Sequence, residues 1–257
     1  MRGAAAMTRQ VFRLDVFGKS HVGRVRSLNE DRCFADAAAG VFAVADGMGG
    51  HRGGDLASAA IVERLATVGI ATTAADLRAR VEARLDAAND AILDLATAAG
   101  ATIGSTVVVL LLFAEHFACL WAGDSRAYRL SRGLFARITR DHSKLQELLD
   151  AGLIAQHEAA TYPGRNVITR AVGVSAAFAV ERTSDVVRPG DVFLLCSDGL
   201  TNHVGDAEIA AILARPGARE AAEALVAAAL SRGGSDNVTA LVLRCLPPPR
   251  GTGAGNG

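Results

Sequence analysis

Apolar residues recur along this chain in two rhythms, and the slower one marks helices. Leu77, Val81, Leu85, Ala88, Ile92 and Leu95 step by four, four, three, four and three, with Arg78, Glu82 and Asp86 on the other side. That spacing predicts an amphipathic helix from about Thr73 to Ala98 with one face laid on a core. A second stripe, Ala57, Ile61, Leu65 and Val68, follows a glycine-rich stretch. Shorter helices are expected over Asp206 to Leu213 and over Ala218 to Leu230, the latter stopped by Gly233-Gly234.

Between them lie short segments that are β-branched or apolar at nearly every position: Val41 to Ala45, Thr106 to Phe113, Phe117 to Trp121, Ala127 to Leu130, Val192 to Cys196 and Val238 to Cys245. Strands of this kind are covered on both faces. Hairpin-length connections at Ala114-Glu115-His116 and Ser131-Arg132-Gly133, with the turn Arg188-Pro189-Gly190-Asp191, predict largely antiparallel pairing. Two packed sheets flanked by helices, an α+β architecture, satisfy this count. The chain has 257 residues, compatible with one core, and no internal repeat or long linker divides it. Residues 1–10 and 247–257 read as tails around a single domain over 11–246.

Lys and Arg number 27 against 27 Asp and Glu, so no net field favours nucleic acid or an anionic membrane. The longest charge-free apolar run, Val107 to Ala114, falls well short of the roughly 20 residues a membrane helix needs. Cys33, Cys119, Cys196 and Cys245 are scattered without a C-x-x-C pair, which suits a reducing cytoplasm. A soluble cytoplasmic monomer is the expectation.

Candidate chemistry lies where the apolar segments end. Val44-Ala45-Asp46-Gly47, Trp121-Ala122-Gly123-Asp124 and Leu195-Cys196-Ser197-Asp198-Gly199 each run from a strand into an aspartate beside a glycine, Asp236-Asn237 precedes the last strand, and Glu30-Asp31 forms a fifth cluster. One Asp-Gly pair is an ordinary turn. If several meet at one edge of a sandwich, carboxylates about 5 Å apart repel by roughly 3 kcal/mol per pair at an effective dielectric near 20, so the group must bind protons or cations. Oxygen-only ligands select Mg²⁺ or Mn²⁺. The six histidines are dispersed, which disfavours zinc. A nucleotide-binding loop at Gly18-Lys19-Ser20 is excluded by spacing, because Arg13 stands where its first glycine is required.

Arg26-Ser27-Leu28-Asn29-Glu30-Asp31, Asp46-Gly47-Met48-Gly49-Gly50-His51, Gly104-Ser105-Thr106, Gly123-Asp124-Ser125-Arg126-Ala127-Tyr128, Ser197-Asp198-Gly199-Leu200 and Asp236-Asn237-Val238-Thr239 occur in that order. Together they resemble the metal-dependent serine/threonine protein phosphatases of type 2C in their compact bacterial form, over roughly Gly18 to Arg244. The resemblance implies a four-layer α-β-β-α sandwich with two metal ions, Mn²⁺ or Mg²⁺, at one end of the sheets. By similarity Asp46 bridges both ions, Glu30 and the Gly47 carbonyl complete one site, and Asp198 and Asp236 hold the other. Asp31 orients the attacking water, Asp124 with Asp198 binds a third ion, and Arg26 grips the phosphate. A water activated between two ions would then hydrolyse phosphoserine or phosphothreonine without a covalent intermediate.

Met48 departs from members that carry a histidine there as general acid, and a thioether cannot donate a proton. His51 is a substitute to consider, while His142 reads as structural. Residues 142–175 correspond to a flap near the site, where Arg165 and Arg170 are candidate substrate contacts. The implied partners are a phosphorylated protein and a cognate Ser/Thr kinase. Two alternatives stay open: action on a small phosphoester, and a silent module that binds phosphoproteins without cleaving them.

Overall fold

The computed structural model describes residues 11–49, 53–164 and 167–247. In chain order these form β1 (Arg13–His21), β2 (Asp31–Asp36), β3 (Val41–Met48), α1 (Gly53–Leu65) and α2 (Ala74–Ala99). Next come β4 (Gly104–Ser105), β5 (Val107–Phe113), β6 (His116–Ala122), β7 (Arg126–Ser131), β8 (Leu134–Arg137) and α3 (Lys144–Asp150). A 3₁₀ turn at Gln156–Thr161 leads to β9 (Glu181–Val186), β10 (Val192–Cys196), α4 (Asp198–Thr201), α5 (Asp206–Leu213), α6 (Ala218–Ser231) and β11 (Val238–Leu246).

Alternation within the strands sets the layering. In β3, Val41, Ala43 and Ala45 pack with Ile61 and Leu65 of α1 and with Leu77, Val81, Leu85 and Ile92 of α2. The intervening Phe42 and Val44 face the other way, into a core shared with Phe193, Leu195, Leu241 and Leu243 of the second sheet. That sheet turns Leu194, Cys196, Ala240 and Val242 outward against Ile209, Leu213, Ala222 and Leu225 of α5 and α6. Side chains that alternate every second residue thus serve three cores, and the result is the four-layer α-β-β-α sandwich.

Among the described residues, one sheet has the order β1-β11-β10-β7-β8 and the other β2-β3-β5-β6-β9, with β4 paired to β3. Every pairing is antiparallel. Helix α2 begins where the periodicity does: Thr73 accepts the Asp76 amide at 3.0 Å as N-cap, and Gly100 ends it at φ 60°. The Ser131–Leu134 hairpin turns through Arg132 and Gly133 at φ 50° and 79°, the left-handed pair a two-residue turn needs. No helix among the described residues is long and apolar enough to cross a membrane.

The turn Arg188–Asp191 does not make a hairpin. It carries the chain from β9 in one sheet to β10 in the other, as Gly123-Asp124-Ser125 does between β6 and β7. Strands β1, β2, β8 and β9 escape the apolar-run criterion because they are partly exposed, and β9 is exposed at all its positions. Its partner β6, not its own pattern, makes it a strand.

Candidate active site

Five chain segments reach the same end of the sandwich, because antiparallel pairing puts the starts of β2 and β11 beside the ends of β3, β6 and β10. Asp31 and Asp46 lie directly opposite each other in the β2–β3 ladder. Asp46 is fixed through its backbone: its amide donates to Thr106 Oγ1 at 3.2 Å, and its carbonyl accepts from Thr106 N at 2.8 Å and Ser105 Oγ at 3.0 Å. Thr106 Oγ1 in turn shares a 2.7 Å hydrogen bond with Ser125 Oγ.

Asp31, 1% exposed, bridges the two sheets. Its Oδ2 accepts from Ser197 Oγ and from Thr239 Oγ1, both at 2.7 Å, while Oδ1 is buried without a partner. Burial drives its pKa up to about 7 against those two hydroxyls, which favour the ionised form; Asp198 and Asp236 add repulsion.

Glu30 is held from both sides. Its amide donates to Asn237 Oδ1 at 2.8 Å, and Asn237 Nδ2 donates to the carbonyls of Val22 and Leu28 at 2.8 and 2.9 Å. Its carboxylate accepts from the Gly54 and Asp55 amides in the first turn of α1. Burial nonetheless raises its pKa, opposed first by Arg26. The glycines make this approach possible: a Cβ on Gly47 would strike the Gly54 carbonyl, and one on Gly199 the Asn237 carbonyl.

Asp198 caps the end of β10 and accepts from Asn202 Nδ2 at 3.1 Å. Asp236 accepts from Arg26 Nη2 at 2.9 Å and from the Asn237 amide at 2.8 Å. Asp124, 9% exposed, keeps Oδ1 without a partner. Burial takes Asp124 to about 8, with Asp198 and Asp141 pushing the same way. Asp46 is raised well above the carboxylate range by desolvation and then by Asp31, Asp198, Asp124 and Asp236. Asp198 is raised by desolvation and then by Asp236.

The acids therefore act on one another. Glu30, Asp46, Asp124, Asp198 and Asp236 line a single cleft of about 800 Å³, with Arg26 beside them. Among the described residues Asp31, Asp46, Asp124 and Asp198 have no ion pair with any Lys or Arg. Nor do these residues close on one point as a finished three-ligand shell: Asp31 lies behind the wall, and Arg26 engages Asp236. Two buried carboxylate oxygens without partners, an all-oxygen donor set and uncompensated negative charge fit a site for hard divalent cations.

Of the other predicted residues, Met48 lines the cleft. Arg170 is exposed and is not part of the cleft wall, where Ile168 represents residues 142–175. Its position follows from the backbone beyond the Ser143–Ile168 bridge, which carries the chain toward the Ser105–Val172 pairing. Arg165 and His51 lie outside the described residues. Ser197, Thr239 and Asn237, which stand within the strand-end motifs without a role assigned from sequence, hold the acids.

A family model described as Protein phosphatase 2C matches residues 17–232. The chain belongs to that family. Serine/threonine protein phosphatase PstP of Mycobacterium tuberculosis is 37% identical over an alignment of 245 positions that covers 92% of this chain. The chain spans about half of that relative, 46% of its length. Serine/threonine phosphatase stp of Listeria innocua is 34% identical over 237 residues, covering 86% of this chain and 92% of the relative.

Among solved structures, PppA, described as a key regulatory component of the T6SS in Pseudomonas aeruginosa, superposes with a TM-score of 0.86 at 40% identity, covering 92% of this chain and 99% of that one. The catalytic domain of serine threonine protein phosphatase PstP in complex with two manganese ions gives a TM-score of 0.83 at 35% identity, over 91% of this chain and 98% of that one. The phosphatase 2C sandwich expected from the motifs is the fold observed, and its similar catalytic domain holds the metal that the acidic cleft here fits.

Proposed function

We propose that this chain is a Mn²⁺- or Mg²⁺-dependent phosphatase that hydrolyses phosphoserine and phosphothreonine in proteins. The observation that carries the reading is the convergence of Glu30, Asp46, Asp124, Asp198 and Asp236 on one cleft in which, among the described residues, Arg26 pairs with Asp236 and no Lys or Arg pairs with Asp46, Asp124 or Asp198. Glu30, Asp46 and the Gly47 carbonyl would hold one ion, Asp46, Asp198 and Asp236 the other, and Asp124 with Asp198 a third. When bound, the ions neutralise phosphoryl charge and lower the pKa of water enough for attack near neutral pH.

The protein's own groups do the rest. Arg26 is half exposed and spends one nitrogen on Asp236, so its remaining donors are free to grip two phosphoryl oxygens and hold the phosphorus in line. Asp31 is oriented by Ser197 and Thr239 through Oδ2, which leaves Oδ1 as the atom able to take a proton. Met48 donates nothing, so the proton for the leaving alkoxide must come from another group, a water or His51 being the candidates. The substrate would be the product of a Ser/Thr kinase, and the four dispersed cysteines, with no C-x-x-C pair, suit a cytoplasmic setting.

Phosphate release from a phosphothreonine peptide with added Mn²⁺ tests the reading. Asp198→Ala is expected to abolish release. Arg26→Ala is expected to lower kcat/KM by about 10- to 100-fold, the scale of losing charged, bidentate positioning. A folded Asp198→Ala variant of near-normal rate, or binding of the peptide without release by the unaltered protein, would overturn it.

A further inference from the structure

A histidine outside the acidic cluster ties together two parts of the site's framework. His142 is 9% exposed and grips the Gly123 peptide at both ends. Its backbone amide donates to the Gly123 carbonyl at 3.0 Å, and its ring Nδ1 accepts from the Gly123 amide at 3.1 Å. The His142 carbonyl accepts from Thr169 N at 2.9 Å, and the neighbouring Ser143 forms a bridge with Ile168. One residue thus joins the β6–β7 crossover, which carries Asp124, to both roots of the segment that contributes Ile168 to the cleft.

The ring itself is fixed. It stacks on Trp121 with centroids 6.2 Å apart and planes 11° from parallel, and Trp121 Nε1 donates to the Arg140 carbonyl at 2.8 Å. His142 Nε2 lies 2.9 Å from Glu181 Oε2, and Glu181 pairs with Trp121 across β6 and β9. Since Nδ1 accepts from an amide, the proton of the neutral ring sits on Nε2 and is donated to Glu181.

Gly123 has little other support. It adopts φ 109°, and a Cβ there would collide with Thr106, so no side chain of its own can anchor it. Asp124 follows with Oδ1 unpartnered among the described residues, so its placement rests on the backbone on either side: Gly123 before it and Ser125, tied to Thr106, after it.

We propose that His142 is a positioning residue: through Nδ1 it holds the Gly123 peptide, and thereby sets Asp124 and the adjoining roots of residues 143–168. The effect on turnover rests on the proposed phosphatase function, whereas the contact itself does not, and the experiment separates the two. An asparagine places its Oδ1 near the position of Nδ1, while a glutamine reaches the position of Nε2. His142→Asn therefore keeps the bond to Gly123 and loses Glu181, and His142→Gln does the reverse.

In metal-free protein the Gly123 amide is expected to exchange about tenfold faster with solvent in His142→Gln than in the unaltered chain, the scale of one lost hydrogen bond, and within about threefold of it in His142→Asn. With Mn²⁺, kcat/KM should follow the same order, Asn rescuing and Gln not. Nitrogen-15 NMR of the unaltered protein should show the proton on Nε2 of His142, a readout that needs no variant to fold. A proton on Nδ1, or a Gln variant that protects Gly123 as well as the Asn variant does, would overturn the proposal. Correct exchange behaviour without turnover in any form would uphold the contact and sink the phosphatase reading instead.

Discussion

The two ends of the sandwich both bury aspartates, and they treat them oppositely. At the end away from the cleft, Asp191 is 1% exposed and accepts from Arg129 Nε at 3.0 Å and from the Arg188 amide at 2.9 Å. Arg129 also donates to Asp185 at 2.8 Å and lies over the rings of Phe117 and Phe193 at 5.2 and 5.7 Å. The Val186 amide and Arg129 hold Asp185 below the usual carboxylate range. Asp185 is itself exposed; at the cleft end Asp31 and Asp124 are buried with no arginine among the described residues paired to either, and burial pushes both up.

An unpartnered carboxylate oxygen does not separate the two ends, because Asp191 has one as well. The difference is the cation. Where an acid serves the fold, an arginine of this chain accompanies it. Where the acids have none, an external ion must take that place, or protons must.

The contrast can be broken most directly at Asp46. Asp46→Asn should lower Mn²⁺-dependent turnover by about a thousandfold, roughly 4 kcal/mol in barrier height, yet raise the melting temperature of the metal-free protein by removing one of the repelling charges. If, in EDTA, Asp46→Asn melts below the unaltered protein, Asp46 is held for structure. At the other end the expectation reverses. Arg129→Met leaves Asp191 buried and unpaired and should cost about 3 kcal/mol in a urea titration, with turnover per folded molecule preserved. A stability loss below about 1 kcal/mol would remove the distinction between the ends.

A smaller effect sharpens the comparison through pH. Asp31 and Asp124 titrate near 7 and 8 in the folded protein, above the ordinary carboxylate value. Between that ordinary value and those raised ones the native state binds more protons than the unfolded chain, so metal-free stability falls as pH rises through the interval. Mn²⁺, which replaces the protons, should therefore raise the melting temperature more at about pH 8 than at about pH 5.5. Equal shifts at both would show that the acids are not what the ion relieves.

Much of this was legible in the chain. Helix α2 follows from its apolar spacing and Thr73 cap, and β3, β5, β6, β10 and β11 from runs that are buried on both faces. The acids of the site stood at the ends of those runs, beside glycines that the close backbone approaches at Gly47 and Gly199 require. Strand β9 could not be read, since Glu181–Val186 is polar and exposed and owes its conformation to β6. The Arg188–Asp191 turn misled for a related reason: a tight turn specifies a reversal, not the sheet in which the next strand will lie.

Side-chain period and turn chemistry are local, so the amino-acid order alone settled which segments are helices or buried strands and which acids terminate them. Which distant groups meet was decided by packing. Asp31 takes its hydrogen bonds from Ser197 and Thr239, 166 and 208 residues further along, and Arg129 finds Asp191 across 62. Contacts at such separations form only after three apolar cores have stacked the layers, because the entropy of closing those loops is recovered from the buried area and not from the polar pairs themselves.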